Sequence, residues 1–428
     1  MLILKRIKER LFYGWVVVAS IFFIGTTIWG LRFSFGVFFK SIEAEFSLSR
    51  GATSGVFSVY MALASVFAIL AGWALDRYGP RIIVLLMGII TGLSLLLTSQ
   101  ASALWQLYIS YSLLLSLGTS AMYVVAISTV SKWFDKKRGV ALGIASSGAG
   151  LGAAVVAPFS AYLISSFGWQ KAYAIIGVIV LLVLIPLSRL FKKEPYEIGV
   201  LPDGIKSALI AYHTKKLGSD DIIARPTGLS VFQVFKTRSF WLITFTQFFY
   251  ASSFFLVSTH IVPYATDKGF SVIEASFIFS VIGVAGIIGR ITMGAVSDRI
   301  GSKVTVVICG TIHVIALILL IWVQDLRVLY VFSVMFGLAW GGIVPTMGAL
   351  IGDTFGLGKL GSILGVIDVG FGVGAAIGPI VGGLIFDITH SYFLAFFLGT
   401  VTMLIGLSLI ALVRRETVTA ISSNVNAN

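Results

Sequence analysis

A chain of 428 residues with 57% hydrophobic and only 11% charged residues lies outside the range of ordinary soluble domains, in which about 25% of residues are charged. A formal charge of +13 would suit a nucleic-acid partner in a soluble protein, but in a chain this apolar it has to be read by position. The single cysteine, Cys309, excludes an intrachain disulfide framework and a cysteine-based metal site.

In chain order, the basic start MLILKRIKER runs into a long apolar span without a small-residue cleavage site, and reads as mature protein rather than a signal peptide. Six apolar segments follow, at about 11–39, 52–75, 81–101, 104–131, 139–165 and 169–191. Six more lie at 239–265, 273–296, 303–323, 327–352, 358–386 and 391–413. Each is long enough for a hydrocarbon core about 30 Å thick. Unbroken runs of this length predict helices rather than barrel strands, because lipid offers the backbone no partner. The expected fold class is an all-α membrane protein of twelve transmembrane helices. Residues 192–238 form a polar linker, with a short amphipathic helix expected at 205–216, and divide the chain into halves 1–191 and 239–428.

Lysine and arginine set the expected topology. With a cytoplasmic N-terminus, 24 of the 31 basic residues fall in inner segments and five in outer loops, leaving Arg32 and Arg290 inside spans. The positive-inside rule then places both termini and the linker in the cytoplasm, in a cell-membrane protein. The charge is a topology signal, and no nucleic-acid partner is expected.

The halves repeat. GWALDRYGPR at 72–81 is echoed at 294–303, with Gly72, Asp76 and Gly79 each 222 residues before Gly294, Asp298 and Gly301. GIASSGAGLGAA at 143–154 returns as GVIDVGFGVGAA at 365–376 with the same offset, and both continue to a proline, Pro158 or Pro379. Carriers built from such repeats bind substrate near the bilayer midplane, between the halves.

The doubled GxxxDRxGxR loop (Gly72, Asp76, Arg77, Gly79, Arg81 and its copy) resembles the signature of the major facilitator superfamily. YGWVVV at 13–18, WFDKKRGVALGIASSGAG at 133–150, HIVPYATDKG at 260–269 and GRITMGAVSDRIG at 289–301 are similar to its monocarboxylate transporter and oxalate/formate antiporter branch. The resemblance implies two six-helix pseudo-repeats, alternating access, and a helix 8 arginine that binds the substrate carboxylate, which is Arg290 here. Animal members carry an aspartate one turn earlier, where this chain has Gly286. They also carry a helix 1 lysine, where it has Phe33 beside Arg32.

Arg290 lies eight residues, about 12 Å, from Asp298. A charge at that depth needs a cavity or a counter-charge. It reads as a carboxylate clamp or as a structural ion pair. Asp368, whose repeat counterpart is Ser146, is the one acidic residue deep in a span: a proton site or counter-ion for Arg290, or a packed aspartate. His260 offers a donor to a substrate oxygen or a step in proton movement. His313 reads as structural, and Arg32 as snorkelling to the outer interface. Tyr123 is a candidate hydrogen-bond donor to substrate, with Leu31, Trp340, Trp29 and Tyr250 as apolar wall. Asp76, Arg77, Arg81, Asp298, Arg299 and Lys303 form the expected cytoplasmic gating pairs and helix-end contacts.

The resulting expectation is a proton-coupled carrier of a small monocarboxylate such as lactate or pyruvate. A dianion exchanger of the oxalate type is the rival, and a non-transporting membrane receptor a more distant one. No HExxH and no Ser/His/Asp arrangement occurs in the spans, so no enzyme is expected. No cofactor beyond the coupling proton and no obligate protein partner are expected either.

Overall fold

Each apolar run folds as a helix because its amides must find partners within their own segment. The computed structural model describes residues 12–134, 138–200, 202–204, 231–322, 325–356 and 360–414, without the side chains of Asp76, Arg138, Val231, Leu360 and Ser362. The stretch at 205–216 expected to form an amphipathic helix lies outside the described residues.

The first six helices are α1 (Gly14–Glu45), α2 (Arg50–Tyr78), α3 (Pro80–Thr98), α4 (Leu104–Trp133), α5 (Arg138–Phe167) and α6 (Trp169–Ser188). A short helix at Val231–Phe235 precedes α7 (Arg238–Asp267), α8 (Val272–Ile300), α9 (Ser302–Ile321), α10 (Leu326–Phe355), α11 (Leu360–Thr389) and α12 (Phe393–Ala411). All twelve are long and apolar enough to cross a membrane. Their ends differ from the expected spans by only a few residues, because polar residues punctuate each run. Ser271, for example, starts α8 with a capping box, its hydroxyl accepting from the Glu274 amide while the Glu274 carboxylate accepts from the Ser271 amide. Within α4 the run Tyr108–Leu114 is wound as a π-helix.

The repeated DRxG loops turn tightly. Gly79 ends α2 and starts α3 at φ 79° and ψ 166°, and Gly301 joins α8 to α9 at φ 91° and ψ 151°. These are backbone conformations that side-chain-bearing residues almost never adopt, so the motif's glycine is a geometric requirement.

The halves meet along two seams, α5 with α8 and α2 with α11, and α1 also touches α7. Small residues let the backbones close. A Cβ added at Gly283 would fall 2.2 Å from the Gly150 carbonyl oxygen, and one at Gly383 would fall 2.5 Å from that of Arg50. Ser280 Oγ donates to the Ala154 carbonyl across the first seam, at 2.7 Å. Toward the end of the bundle that carries Arg77, Arg81 and Arg299, the seams part. Added Cβ atoms at Gly139, Gly143, Gly294 and Gly365 would meet nothing within 4 Å. The bundle is open at this basic end and closed at the other.

Candidate functional site

The α5–α8 seam ends at Arg290. One Nη of its guanidinium donates to the Ser146 carbonyl of α5, and its Cζ lies 4.8 Å over the Trp340 ring of α10. Ser146 is the repeat counterpart of Asp368, so the arginine of one half touches the other half at the pseudo-symmetric position. No carboxylate lies within ion-pair distance of Arg290 among the described residues. Asp368 is thus not its counter-ion in this state.

Trp340 is wedged between Arg290 and an aromatic wall. It meets Phe33 edge-on at 5.4 Å and stacks on Phe254 at 5.6 Å. A Cβ at Gly286 would approach Trp340 Cε3 to 2.8 Å. The large indole thus occupies the room that a side chain at position 286 would need. Leu31 is buried in α1, and Trp29 stacks on Phe33 at 6.1 Å.

Across the cavity, Tyr123 of α4 and Asp368 of α11 are both solvent-accessible and within electrostatic range of one another. They come from opposite halves and both face the open space between them. Arg32 also lies within electrostatic range of Asp368. Its guanidinium lies 4.5 Å over the Trp29 ring and donates to Tyr60 Oη at 3.3 Å. The outward snorkelling expected from sequence does not occur. An aromatic face and a hydroxyl within reach satisfy the charge where it is.

His260 is held elsewhere. It is wholly buried at the closed end, in a network that sequence reasoning missed. Arg50, at the start of α2, donates to both oxygens of Asp267 of α7 at 2.6 and 3.0 Å and to Tyr392 Oη at 2.8 Å. It also pairs with Glu43 at 3.3 Å and lies 3.7 Å over the Phe386 ring. Lys40 of α1 takes the same Asp267 at 2.5 Å. Asp387 of α11 accepts from the Arg50 and Gly51 amides at 2.8 and 2.7 Å, a carboxylate of one half capping a helix N-terminus of the other.

Hydrogen-bond roles assign the His260 tautomer. Ser54 Oγ gives its proton to the Arg50 carbonyl at 2.7 Å, and the Pro379 carbonyl, 2.8 Å from His260 Nε2, only accepts. Nε2 therefore carries the hydrogen, and Nδ1 faces Tyr392 Oη at 3.1 Å. The bonds of Arg50 to Asp267 and Tyr392, of Lys40 to Asp267, of Asp387 to the Arg50 and Gly51 amides and of Ser54 to His260 join the halves, so the network holds the closed end shut. The signal available in sequence was weak: Arg50, Asp267 and Asp387 stand at span ends, where charges are ordinary.

The basic-end candidates show no such pairing. Arg77, Arg81, Asp298 and Arg299 are exposed, and none makes an ion pair among the described residues. Arg77 lies 5.6 Å over the rings of Trp73 and Tyr78. Lys303 Nζ donates to the Ala411 and Val413 carbonyls at 2.7 and 2.8 Å, tying α9 to the end of α12 inside one half. With the basic end open, the expected pair of Asp298 with Arg299 is not formed among the described residues, and the side chain of Asp76 lies outside them.

Twelve helices in two pseudo-symmetric halves, locked at one end and parted at the other around a buried arginine, define a membrane carrier. The family model of the Major Facilitator Superfamily matches residues 18–343 and 291–427. The chain belongs to that superfamily. It is similar to monocarboxylate transporter 13 of Bos taurus, at 25% identity over 92% of this chain and 88% of that protein. It is also similar to monocarboxylate transporter 12 of Xenopus laevis, at 27% over 92% and 86%, and to monocarboxylate transporter 2 of Homo sapiens, at 24% over 89% and 81%. A solved bacterial homologue of the human lysosomal transporter Spinster, inward-facing and occupied, shares the fold. It superposes with a TM-score of 0.74 at 15% identity, over 95% of this chain and 98% of that one. These relatives are transporters, not enzymes, and the chain is a multi-pass membrane transporter.

Proposed function

We propose that this carrier moves a small monocarboxylate of the lactate or pyruvate type together with a proton across the cytoplasmic membrane, by alternating access. The observation that carries the reading is Arg290. It is a guanidinium at the junction of the halves, beside the open cavity, with a free donor edge and no carboxylate partner among the described residues. Guanidinium binds carboxylate with two parallel hydrogen bonds, and the apolar wall of Trp340 and Phe33 beside it suits a short carbon chain. The relatives' names, all monocarboxylate transporters, support the same substrate class.

Asp368 is the proton site in this reading. Arg290, Arg32 and an ionised Asp368 leave the cavity with a net charge of +1. Loading one proton on Asp368 and one monoanion on Arg290 leaves it at +1 again. The empty and loaded carriers then cross the membrane field with equal charge, which is what electroneutral symport requires. The domains proposed are 1–191 and 239–428 as rocking halves joined by 192–238, with the basic end cytoplasmic.

The inward turn of Arg32 supplies a second cation, which favours a dianion more than the sequence suggested, although Asp368 offsets it. Competition separates the two: oxalate should inhibit labelled lactate uptake into proteoliposomes far less than pyruvate does. Under an imposed pH gradient, wild-type protein should accumulate lactate above equilibrium. Asp368→Asn should lose that accumulation yet keep lactate–lactate exchange, because exchange needs no net proton movement. Gradient-driven accumulation by Asp368→Asn would move the proton role to another group.

A further inference from the structure

Three neighbouring helices of the second half, α7, α8 and α9, carry buried polar atoms without partners among the described residues at Tyr250, Arg290 and His313, with Tyr250 next to each of the other two. His313 of α9 is wholly buried, and among the described residues neither its Nδ1 nor its Nε2 meets a donor or acceptor. Tyr250 of α7 packs against it at 69°, with ring centroids 5.6 Å apart, and its Oη is buried and unpartnered as well. Arg290 Nε is in the same condition, and the Tyr250 hydroxyl lies within electrostatic range of the guanidinium. The surroundings are otherwise apolar: Phe336 meets the imidazole at 4.7 Å, and Phe254 stacks on both Phe336 and Trp340.

Buried polar atoms are hydrogen-bonded in about nine cases out of ten or more. Four such atoms, from three helices, mark a place built for a small polar ligand. Their chemistry selects it. The Arg290 Nε–H needs an acceptor, a neutral imidazole needs one acceptor and one donor, and a phenol can serve as either. Water is the smallest molecule that answers all three.

We propose that His313 and Tyr250 form a hydrated pocket behind Arg290 whose ordered water accepts from Arg290 Nε and fixes the plane of the guanidinium. His313 is thus a positioning residue for the anion site and not a packing residue. The consequence is a division of the guanidinium between its neighbours. Nε is held from behind, one Nη by Ser146 and one face by Trp340, and the remaining Nη edge is presented to substrate. This inference rests on the reading of Arg290 as the carboxylate site.

The test is the lactate dependence of exchange in proteoliposomes for wild type, Tyr250→Phe, His313→Leu and His313→Gln. Tyr250→Phe removes one hydroxyl and preserves the packing. It should raise the half-saturating concentration about tenfold, the worth of one hydrogen bond to a charged group, with the maximal rate within about twofold. His313→Leu should do the same, and His313→Gln, which keeps a donor and an acceptor, should recover most of the affinity. Wild-type half-saturation in both Tyr250→Phe and His313→Leu overturns the inference, as does a His313→Gln variant as impaired as His313→Leu. The underlying reading fails separately: normal lactate transport by Arg290→Ala refutes the anion site whatever the His313 variants do.

Discussion

Arg290→Ala is expected to lower lactate uptake at subsaturating concentration by at least about 30-fold while leaving the protein folded. Arg290 is engaged on two sides and open on a third. Its guanidinium is held by the Ser146 carbonyl and the Trp340 face, with one edge unspent. Truncating one partner of a desolvated, hydrogen-bonded charge pair costs about 2–5 kcal/mol, and each 1.4 kcal/mol is tenfold. Ligand-free stability should change little, or even rise, since the variant removes an unneutralised charge from the membrane interior. Arg290→Lys should recover only part of the loss, because an ammonium lacks the planar fork that meets both carboxylate oxygens. The check is initial uptake of labelled lactate into proteoliposomes, with thermal unfolding in detergent as the control. Uptake within threefold of wild type for Arg290→Ala would exclude the clamp.

The second large effect is expected at the other end of the cavity. Arg50→Met should release the closed end and shift the carrier toward a state open at that end. Arg50 is the hub there: its side chain bonds Asp267, Glu43 and Tyr392, elements of both halves. Removing one member of a buried ion pair costs about 3–5 kcal/mol. The Asp267 side chain is 31% exposed and keeps Lys40, so screening and the surviving pair reduce that to roughly 1.5–3 kcal/mol. The conformational equilibrium should therefore move by about 10- to 150-fold. A single engineered cysteine reads this directly, because Cys309 is the only native one and is buried. Ser258 faces a narrow cleft with Arg32, Gly36 and Phe255 on the closed side of the cavity. Ser258→Cys should label slowly with an impermeant maleimide in the wild-type background and rapidly with Arg50→Met. Equal labelling rates in the two backgrounds would show that the network is not the lock.

How much of this was legible without coordinates depended on how local the cause was. The DRxG turns were legible because a glycine at φ near 80–90° is demanded by two adjacent helices and nothing else. Arg290 was legible because any arginine eight residues inside a span must be satisfied by something unusual. Asp368 was legible for the same reason, but its surroundings were not: its nearest cationic influence is Arg32, from the other half, and not Arg290. His260 was singled out as a substrate contact, yet the structure binds it to Ser54, Pro379 and Tyr392 at the closed end. Arg50 was counted only as an outer-loop charge. Nothing in its neighbourhood along the chain announces partners such as Asp267 and Asp387, which lie 217 and 337 residues away.

The sequence by itself determined the twelve helices, the pseudo-symmetric halves and the presence of one unduplicated arginine. Each of these follows from hydropathy, glycine placement and repetition, which act within a helix or between identical offsets. Only the tertiary structure decided which end of the carrier is shut, that Arg32 turns toward the cavity, and that Trp340 fills the space beside Gly286. These outcomes depend on side chains from different helices competing for the same few ångströms. In a medium where an unpaired charge is so costly, that competition is settled by which partners the packing brings within reach.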